Sequence, residues 1–354
     1  MASLQIASLI FLLILLSWTV QGQHKTTFDL IVATDGNGNY SKIMDAIAAA
    51  PKLSARKFII KIEKGIYTEN VLVEDDKTNI IFIGDGIDKT IISGSRSAGG
   101  GYKTYDTATL GKIFDRFYFI LGIHGDGFMA MDMTIENTAG AANMQAVALR
   151  SSARSVFYRC KFSGYQDTLY THQNKQFYRQ CEIYGTIDFI FGDATVVLQN
   201  CAIYARLPPK GESNTITITA QGRNKSTKTT GIVIQNCTIT AADDLKRSGS
   251  SLIKSYLGRP WKEYSTTIVM QSFIDNIIDP AGWLEWEDNK TNLATIFYAE
   301  YGNRGPGAAT NRRVKWTSYH KINRREAMKF TVRNFISGNE WLPSLGIPFF
   351  LDLM

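Results

Sequence analysis

The amino-acid sequence predicts an all-β fold, a right-handed parallel β-helix built as a single domain with short terminal helices. Three observations lead to it. Short segments rich in Ile, Val, Phe and Thr recur between Gly, Asn and Asp, at Lys57–Glu63, Asn79–Ile83, Met131–Glu136 and Thr267–Ile274. Four segments share a polar–Cys–x–apolar pattern, at Arg159–Phe162, Gln180–Ile183, Asn200–Ile203 and Asn236–Ile239. Their cysteines, at 160, 181, 201 and 237, are separated by 21, 20 and 36 residues, and a period near 20 with one strand cluster per repeat is the mark of a solenoid. Finally, no helical pattern alternates with these strands, and the L-x-x-L-x-L repeat of leucine-rich solenoids is absent. A single coil of this kind cannot bury its apolar face, so coils must stack into one continuous core. From the pattern alone, a β-sandwich is the alternative.

Composition narrows the class. The chain has 354 residues, 44% of them hydrophobic and 20% charged, which excludes a disordered chain. Four cysteines in this length exclude a small disulfide scaffold. Lys and Arg number 39 against 32 Asp and Glu, a net charge of +7. That balance points to an acidic partner: nucleic acid, a membrane surface or an acidic polysaccharide. The basic residues form no long runs, which argues against nucleic acid.

Taken along the chain, Leu9–Trp18 is an apolar run too short to span a bilayer. With Gly22 after it, residues 1–22 read as a secretory signal peptide and 23–354 as the mature domain. No later segment is long and apolar enough to cross a membrane. N-glycosylation sequons stand at Asn39, Asn224, Asn236 and Asn289. Asn236, just before an expected buried cysteine, is expected to stay unmodified. Helices are expected over Tyr40–Ala50, stopped by Pro51, and over Arg325–Phe335. Stacked coils lie about 4.8 Å apart, so residues one coil apart become lateral neighbours. Cys181 and Cys201 would then be close enough for a disulfide. A Cys160–Cys181 bond and a ladder of four free apolar thiols are the competing readings.

The same stacking brings two polar pairs together. Gln145 and Gln166 are 21 residues apart, and so are Asp167 and Asp188. Asp188 sits in the apolar stretch Gly185–Gly192 and needs a partner, for which Arg259 is the candidate. Contact with a guanidinium would keep Asp188 ionised as a nucleophile, while burial beside that anion would leave Asp167 able to donate a proton. The two glutamine amides could face a developing oxyanion. The set suits acyl transfer from an ester. Spacing by itself also admits a retaining glycosidase, or a polar ladder that merely satisfies solenoid turns. Tyr165, Tyr170, Trp261 and Trp283 are candidates for stacking on sugar faces, with core packing as the alternative for each. The histidines at 24, 124, 172 and 320 show no zinc spacing and read as surface or loop residues. No G-x-S-x-G elbow is present.

Five ordered blocks carry a resemblance: Gly65-Ile-Tyr-Thr-Glu69, Gln145-Ala-Val-Ala-Leu149, Tyr165-Gln-Asp-Thr-Leu169, Asp188-Phe-Ile-Phe-Gly192 and Leu257-Gly-Arg-Pro-Trp261. In order and spacing they resemble the signature blocks of plant pectin methylesterases (pectinesterases), from about Phe28 to Leu353. The resemblance implies a right-handed β-helix that removes methyl esters from homogalacturonan. It makes Asp188 the nucleophile, Asp167 the general acid and then base, and Gln166 and Gln145 the oxyanion donors. Arg259 would orient Asp188 and contact substrate. Trp261 would line the sugar subsites, with Tyr165 and Thr104, the latter in Thr104-Tyr-Asp-Thr-Ala-Thr109, as further substrate contacts. The family disulfide maps to Cys181–Cys201. No metal or organic cofactor is implied. The implied partner is methylated pectin, with inhibitor proteins as candidates. Neither nucleic acid nor membrane is expected, and the chain is expected to be a monomer in the cell wall. The catalytic block begins soon after the signal, at Phe28, as in the branch without an inhibitor-like pro-region.

Two departures stand out. Ala141-Ala-Asn-Met144 replaces a Pro-x-x-His-type stretch before Gln145. Gly111–Leu121 is an insertion whose removal restores the family register. It reads as a translated intron or splice product; if retained, it must bulge from a turn between coils beside Thr104.

Overall fold

The polar position of the Cys repeat has one backbone conformation throughout. In the computed structural model, which describes residues 27–112, 127–209, 211, 214–250, 252–286 and 293–354, Arg159, Gln180, Asn200 and Asn236 have φ of 50°, 52°, 56° and 51°. Asp132 (58°) and Gln271 (53°) extend the series into the neighbouring coils. One left-handed residue turns a strand sharply without ending its pairing. Strands Phe128–Asn137 and Ser155–Ser163 bend there and continue. In later coils the same corner separates Lys175–Arg179 from Glu182–Gly185, and Thr195–Gln199 from Ala202–Ala205.

These corners divide each coil into faces. Every strand pairing is parallel, which overturns the β-sandwich alternative. Strands Val71–Val73, Leu110–Lys112, Leu149–Ser151, Leu169–Thr171, Ile190–Gly192, Thr215–Gln221 and Lys254–Gly258 form one sheet in chain order. The other two faces form a bent 17-stranded sheet. The architecture is a parallel β-helix.

The rest of the repeat follows from the corner. The residue after it points inward and the apolar residue two further on stacks in register: Ile135, Phe162, Ile183, Ile203, Ile239 and Ile274 are successive partners. All six are fully buried, each contributing about 1.5–3 kcal/mol of transfer free energy. Phe157 stacks on Tyr178 one coil on, with ring centroids 4.9 Å apart. The outer face of the strands at Ile81, Met129, Val156, Phe177, Val197, Val233 and Ile268 is also covered, by the C-terminal segment through Val332, Ile336 and Leu342. Burial on both faces is why these strands read as unbroken apolar runs.

The four cysteines are free thiols, 0–2% exposed, which corrects the expected Cys181–Cys201 disulfide. Cys181 and Cys201 are neighbours in a ladder that begins at Met133 and ends at Ser272, whose hydroxyl accepts the Cys237 N–H. Their thiols lie near one another without a bond, and each also approaches a backbone carbonyl: Cys181 Sγ lies 3.3 Å from Phe157 O, and Cys201 Sγ 3.6 Å from Tyr178 O. A small apolar side chain with a weak S–H donor fits the inside of the corner.

The N-terminal helix is Ile43–Ala49, shorter than expected, with the Glu69 carboxylate accepting the N–H groups of Ile43 and Met44 at its start. The C-terminal helix is broken into Arg324–Ala327, a 3-10 turn Met328–Phe330, and Val332–Ile336. Thr331, in extended backbone at φ −74°, ψ 164°, interrupts it. An Asn323–Glu326 capping box starts the first piece. His320 lies half-buried in strand Tyr319–Lys321, stacked on Phe297.

The signal segment 1–22 and Asn289 lie outside the described residues, as does most of the 111–121 insertion. Its first two residues, Gly111 and Lys112, do not bulge; they continue a strand paired with Leu72, Val73, Arg150 and Ser151. Asn39 and Asn224 are exposed. Asn236 is half-buried, and its amide donates to Asn200 Oδ1.

Candidate active site

Asp167 and Asp188 occupy equivalent positions in adjacent coils. Leu169 pairs with Ile190, so the residue two before each falls in register, and the Asp167 N–H donates to Ile187 O. Both aspartates are in left-handed backbone, with φ of 65° and 52°, a region that Asp tolerates better than most residues. Both are nearly buried, at 8% and 5% exposure.

Their surroundings differ. Asp188 is gripped by Arg259, whose Nε donates to Oδ1 at 2.9 Å and Nη2 to Oδ2 at 2.7 Å. Such a two-point fork fixes orientation as well as charge. Thr217, one coil further on and fully buried, closes the third side. Its hydroxyl donates to Asp188 Oδ1 at 2.6 Å and accepts the Asp188 N–H at 2.9 Å. Asp167 has no such fork. Burial, with the Asp188 charge adding to it, pushes its carboxyl well above the ordinary value of 3.8, against the opposing pull of Arg259. Two adjacent carboxyl groups thus sit in different surroundings.

They open into a cleft of about 470 Å³. Gln145 and Gln166 line it, and among the described residues neither amide side chain is hydrogen-bonded to another protein group. Their backbones are held instead: Gln145 O accepts Ala98 N–H, and Gln166 O accepts Ala146 N–H. The Ala141–Asn143 turn precedes them, and the following Met144 is exposed at φ 59° beside Gln145.

Aromatic residues form one wall. Tyr170 stacks on Phe191 at 4.3 Å, and Phe191 meets Trp261 edge-on at 6.1 Å. Gly222 lies flat against the Trp261 ring; a Cβ there would come within 2.6 Å of it. Trp286 covers the Arg259 guanidinium at 4.2 Å. Lys103, Thr104 and Tyr105 also line the cleft. Arg150 donates to Tyr105 O at 3.0 Å.

The fold therefore brings Gln145, Gln166, Asp167, Asp188, Arg259, Trp261 and Thr104 to one cleft. Tyr165 is not among the residues lining it; its ring lies under Arg206, 3.8 Å from the guanidinium, and its hydroxyl accepts from the same residue. Trp283 is buried at 1% exposure against Tyr298, which removes it as a sugar contact. Sequence reasoning missed Thr217 and Trp286. Thr217 was recoverable, because the alternating strand Thr215–Gln221 places it one coil from Asp188. Trp286 carries no local signal.

Comparison with known proteins agrees with this geometry. The pectinesterase family model matches residues 29–339. The chain belongs to the pectinesterase family. It is 51% identical over 340 residues to Pectinesterase 2 of Citrus sinensis, covering 94% of this chain and 63% of that one. It is 51% identical over 323 residues to a pectinesterase/pectinesterase inhibitor of Prunus persica, covering 91% and 59%. The chain thus spans about three-fifths of the length of these relatives. Among solved structures, the pectin methylesterase from carrot superposes with a TM-score of 0.87 at 47% identity, covering 93% of this chain and 99% of that one. The fungal pectin methylesterase from Aspergillus niger gives 0.69 at 32% identity, covering 83% and 90%.

Proposed function

We propose that the chain is a pectin methylesterase that hydrolyses the methyl esters of homogalacturonan. The observation that carries this reading is the pair of neighbouring aspartates with opposite surroundings, one forked by Arg259 and the other buried toward its neutral form, in one cleft with two glutamine side chains. An Asp188 oxygen attacks the ester carbonyl carbon. The carbonyl oxygen gains the electron pair and accepts N–H groups from Gln145 and Gln166. Collapse breaks the carbonyl–methoxy bond, and methanol leaves with the Asp167 proton. Asp167, now a carboxylate, takes a proton from water, which attacks the acyl-enzyme anhydride. Asp188 departs as carboxylate, leaving a reprotonated Asp167 and a galacturonic acid group, which loses its proton to solvent. Trp261 and Tyr170 supply sugar-facing rings, and Thr104 a polar contact.

Secretion to the cell wall, with residues 1–22 removed and glycans at the exposed Asn39 and Asn224, belongs to the same reading. So does recognition by inhibitor proteins, which the names of several relatives carry. The decisive experiment incubates the purified chain with methylated pectin and measures methanol and polymer length. Methanol without shortening is expected. Shortening would indicate glycoside cleavage, and binding with neither would indicate a non-catalytic wall protein. Asp188→Asn should abolish methanol release while pectin binding survives.

A further inference from the structure

A second cavity, of about 690 Å³, lies where the C-terminal helices meet the sheet. Its volume is in the range of ligand sites, yet the chemistry above does not use it. Its floor is aromatic: Phe330 stacks on Phe297 at 5.6 Å and contacts Phe335 at 5.7 Å, all three half-buried. Four cations surround that floor, namely Lys175, Arg223, Lys228 and Lys329.

The one carboxylate in the lining, Glu326, is committed to the Asn323 N–H of the capping box. Lys228 pairs with Asp193, and Lys175 donates to the Ser337 hydroxyl. The Arg223 guanidinium is oriented by neutral acceptors, Lys225 O, Ser226 O and Thr266 Oγ1. Lys329 is exposed and makes no ion pair among the described residues. A preset guanidinium and nearby ammonium groups around half-buried aromatic rings suit a ligand with carboxylates and apolar C–H surfaces. The chain links the cavity to the catalytic cleft: Gly222 packs against the Trp261 ring of the cleft, Arg223 of the cavity is the next residue, and Lys262 lies 5.2 Å from the same ring.

We propose that this cavity is a second binding site for an anionic, de-esterified stretch of polyuronate, reached over Trp261 from the catalytic cleft. The assignment rests on the esterase reading for the source of that ligand. There the reaction converts neutral esters into carboxylates, so the site retains product-bearing chain while the cleft works on the remaining esters.

Polygalacturonate, which has no ester to turn over, is the probe. Its affinity for the full chain, read by calorimetry at low salt, is compared with that of Lys329→Glu, Lys175→Glu and a charge control, Lys42→Glu, at an exposed position away from the cavity. Lys329→Glu and Lys175→Glu are each expected to weaken binding about tenfold and Lys42→Glu less than about twofold. Equal effects of all three would overturn the proposal. Lys329 has no partner to lose, so it carries the test if Lys175→Glu melts early. Polyglutamate of matched charge is expected to bind more weakly than polygalacturonate; equal binding would overturn the sugar assignment. Methanol release from methylated pectin, measured on the same wild-type preparation, separates the two readings. Methanol with no dependence of binding on Lys329 overturns the second site alone. Lys329-dependent binding without methanol overturns the esterase alone.

Discussion

Thr217 and Asp188 exchange two hydrogen bonds inside the protein, one through each partner's donor. The Thr217 hydroxyl bonds Asp188 alone, so under the proposed mechanism it is a positioning residue. Replacing it with Val keeps the shape and strands the Asp188 N–H. Thr217→Val should lower kcat about tenfold with KM little changed, and cost about 1–3 kcal/mol of stability; steady-state kinetics and denaturant melts would show both. An unchanged kcat would assign Thr217 to stability alone. Asp167 makes a sharper case. Its folded-state pKa is raised above 3.8 by burial and by Asp188, so the unfolded chain loses this proton first as pH rises. The stability it supports is complete below pH 3.8 and declines as pH climbs through the raised value. Asp167→Asn, which cannot ionise, should match wild type in acid and become the more stable protein at higher pH, while losing methanol release. Wild-type methanol release should fall on the alkaline side as the same proton is lost. A melting-temperature difference independent of pH would sink this account.

At the scale of the element, the left-handed corner organises the fold. It explains why Arg159, Gln180, Asn200 and Asn236 are polar, why a small inward residue follows, and why an apolar one comes two later. Gln180 is exposed, and no side-chain bond of its own anchors it among the described residues, so it tests the corner cleanly. Gln180→Val should be less stable than Gln180→Gly by about 1–2 kcal/mol, because a β-branched residue pays the left-handed cost that glycine escapes. Equal melting temperatures would mean that the corner relaxes at little cost. The Cys repeat was legible as a period but not as a bond. Its spacing allows a disulfide between stacked coils, whereas the observed cysteines are free thiols, each near a carbonyl one coil back. The C-terminal helix was legible as a pattern, but Thr331 breaks it so that Val332 and Ile336 can seat on the sheet.

For the whole molecule, the excess of 39 basic over 32 acidic residues gains a meaning under the proposed esterase reaction. There each turnover would place a new carboxylate on the polymer, so a basic enzyme should hold its product more tightly than its substrate. Affinity for de-esterified pectin should fall steeply between about 0.01 and 0.15 M salt, as the screening length shortens from about 30 to about 8 Å. Affinity for fully methylated pectin should move much less. Salt-independent binding of the de-esterified polymer would make the net charge incidental.

The sequence by itself determined the solenoid, because its period records how often the chain returns to the same face. It also determined the Gln145, Gln166, Asp167, Asp188 and Arg259 set, because residues one coil apart and the family blocks both survive in linear order. Tertiary structure decided what linear order cannot carry. Trp283 and Trp286 are three residues apart, yet one is core and the other covers Arg259. Tyr165 adjoins Gln166 in the chain but lies under Arg206. The second cavity joins Lys175 and Arg223 to Lys329 across more than a hundred residues. Such outcomes depend on which coil a loop folds back upon, and so on contacts between segments whose separation in the chain leaves no periodic trace.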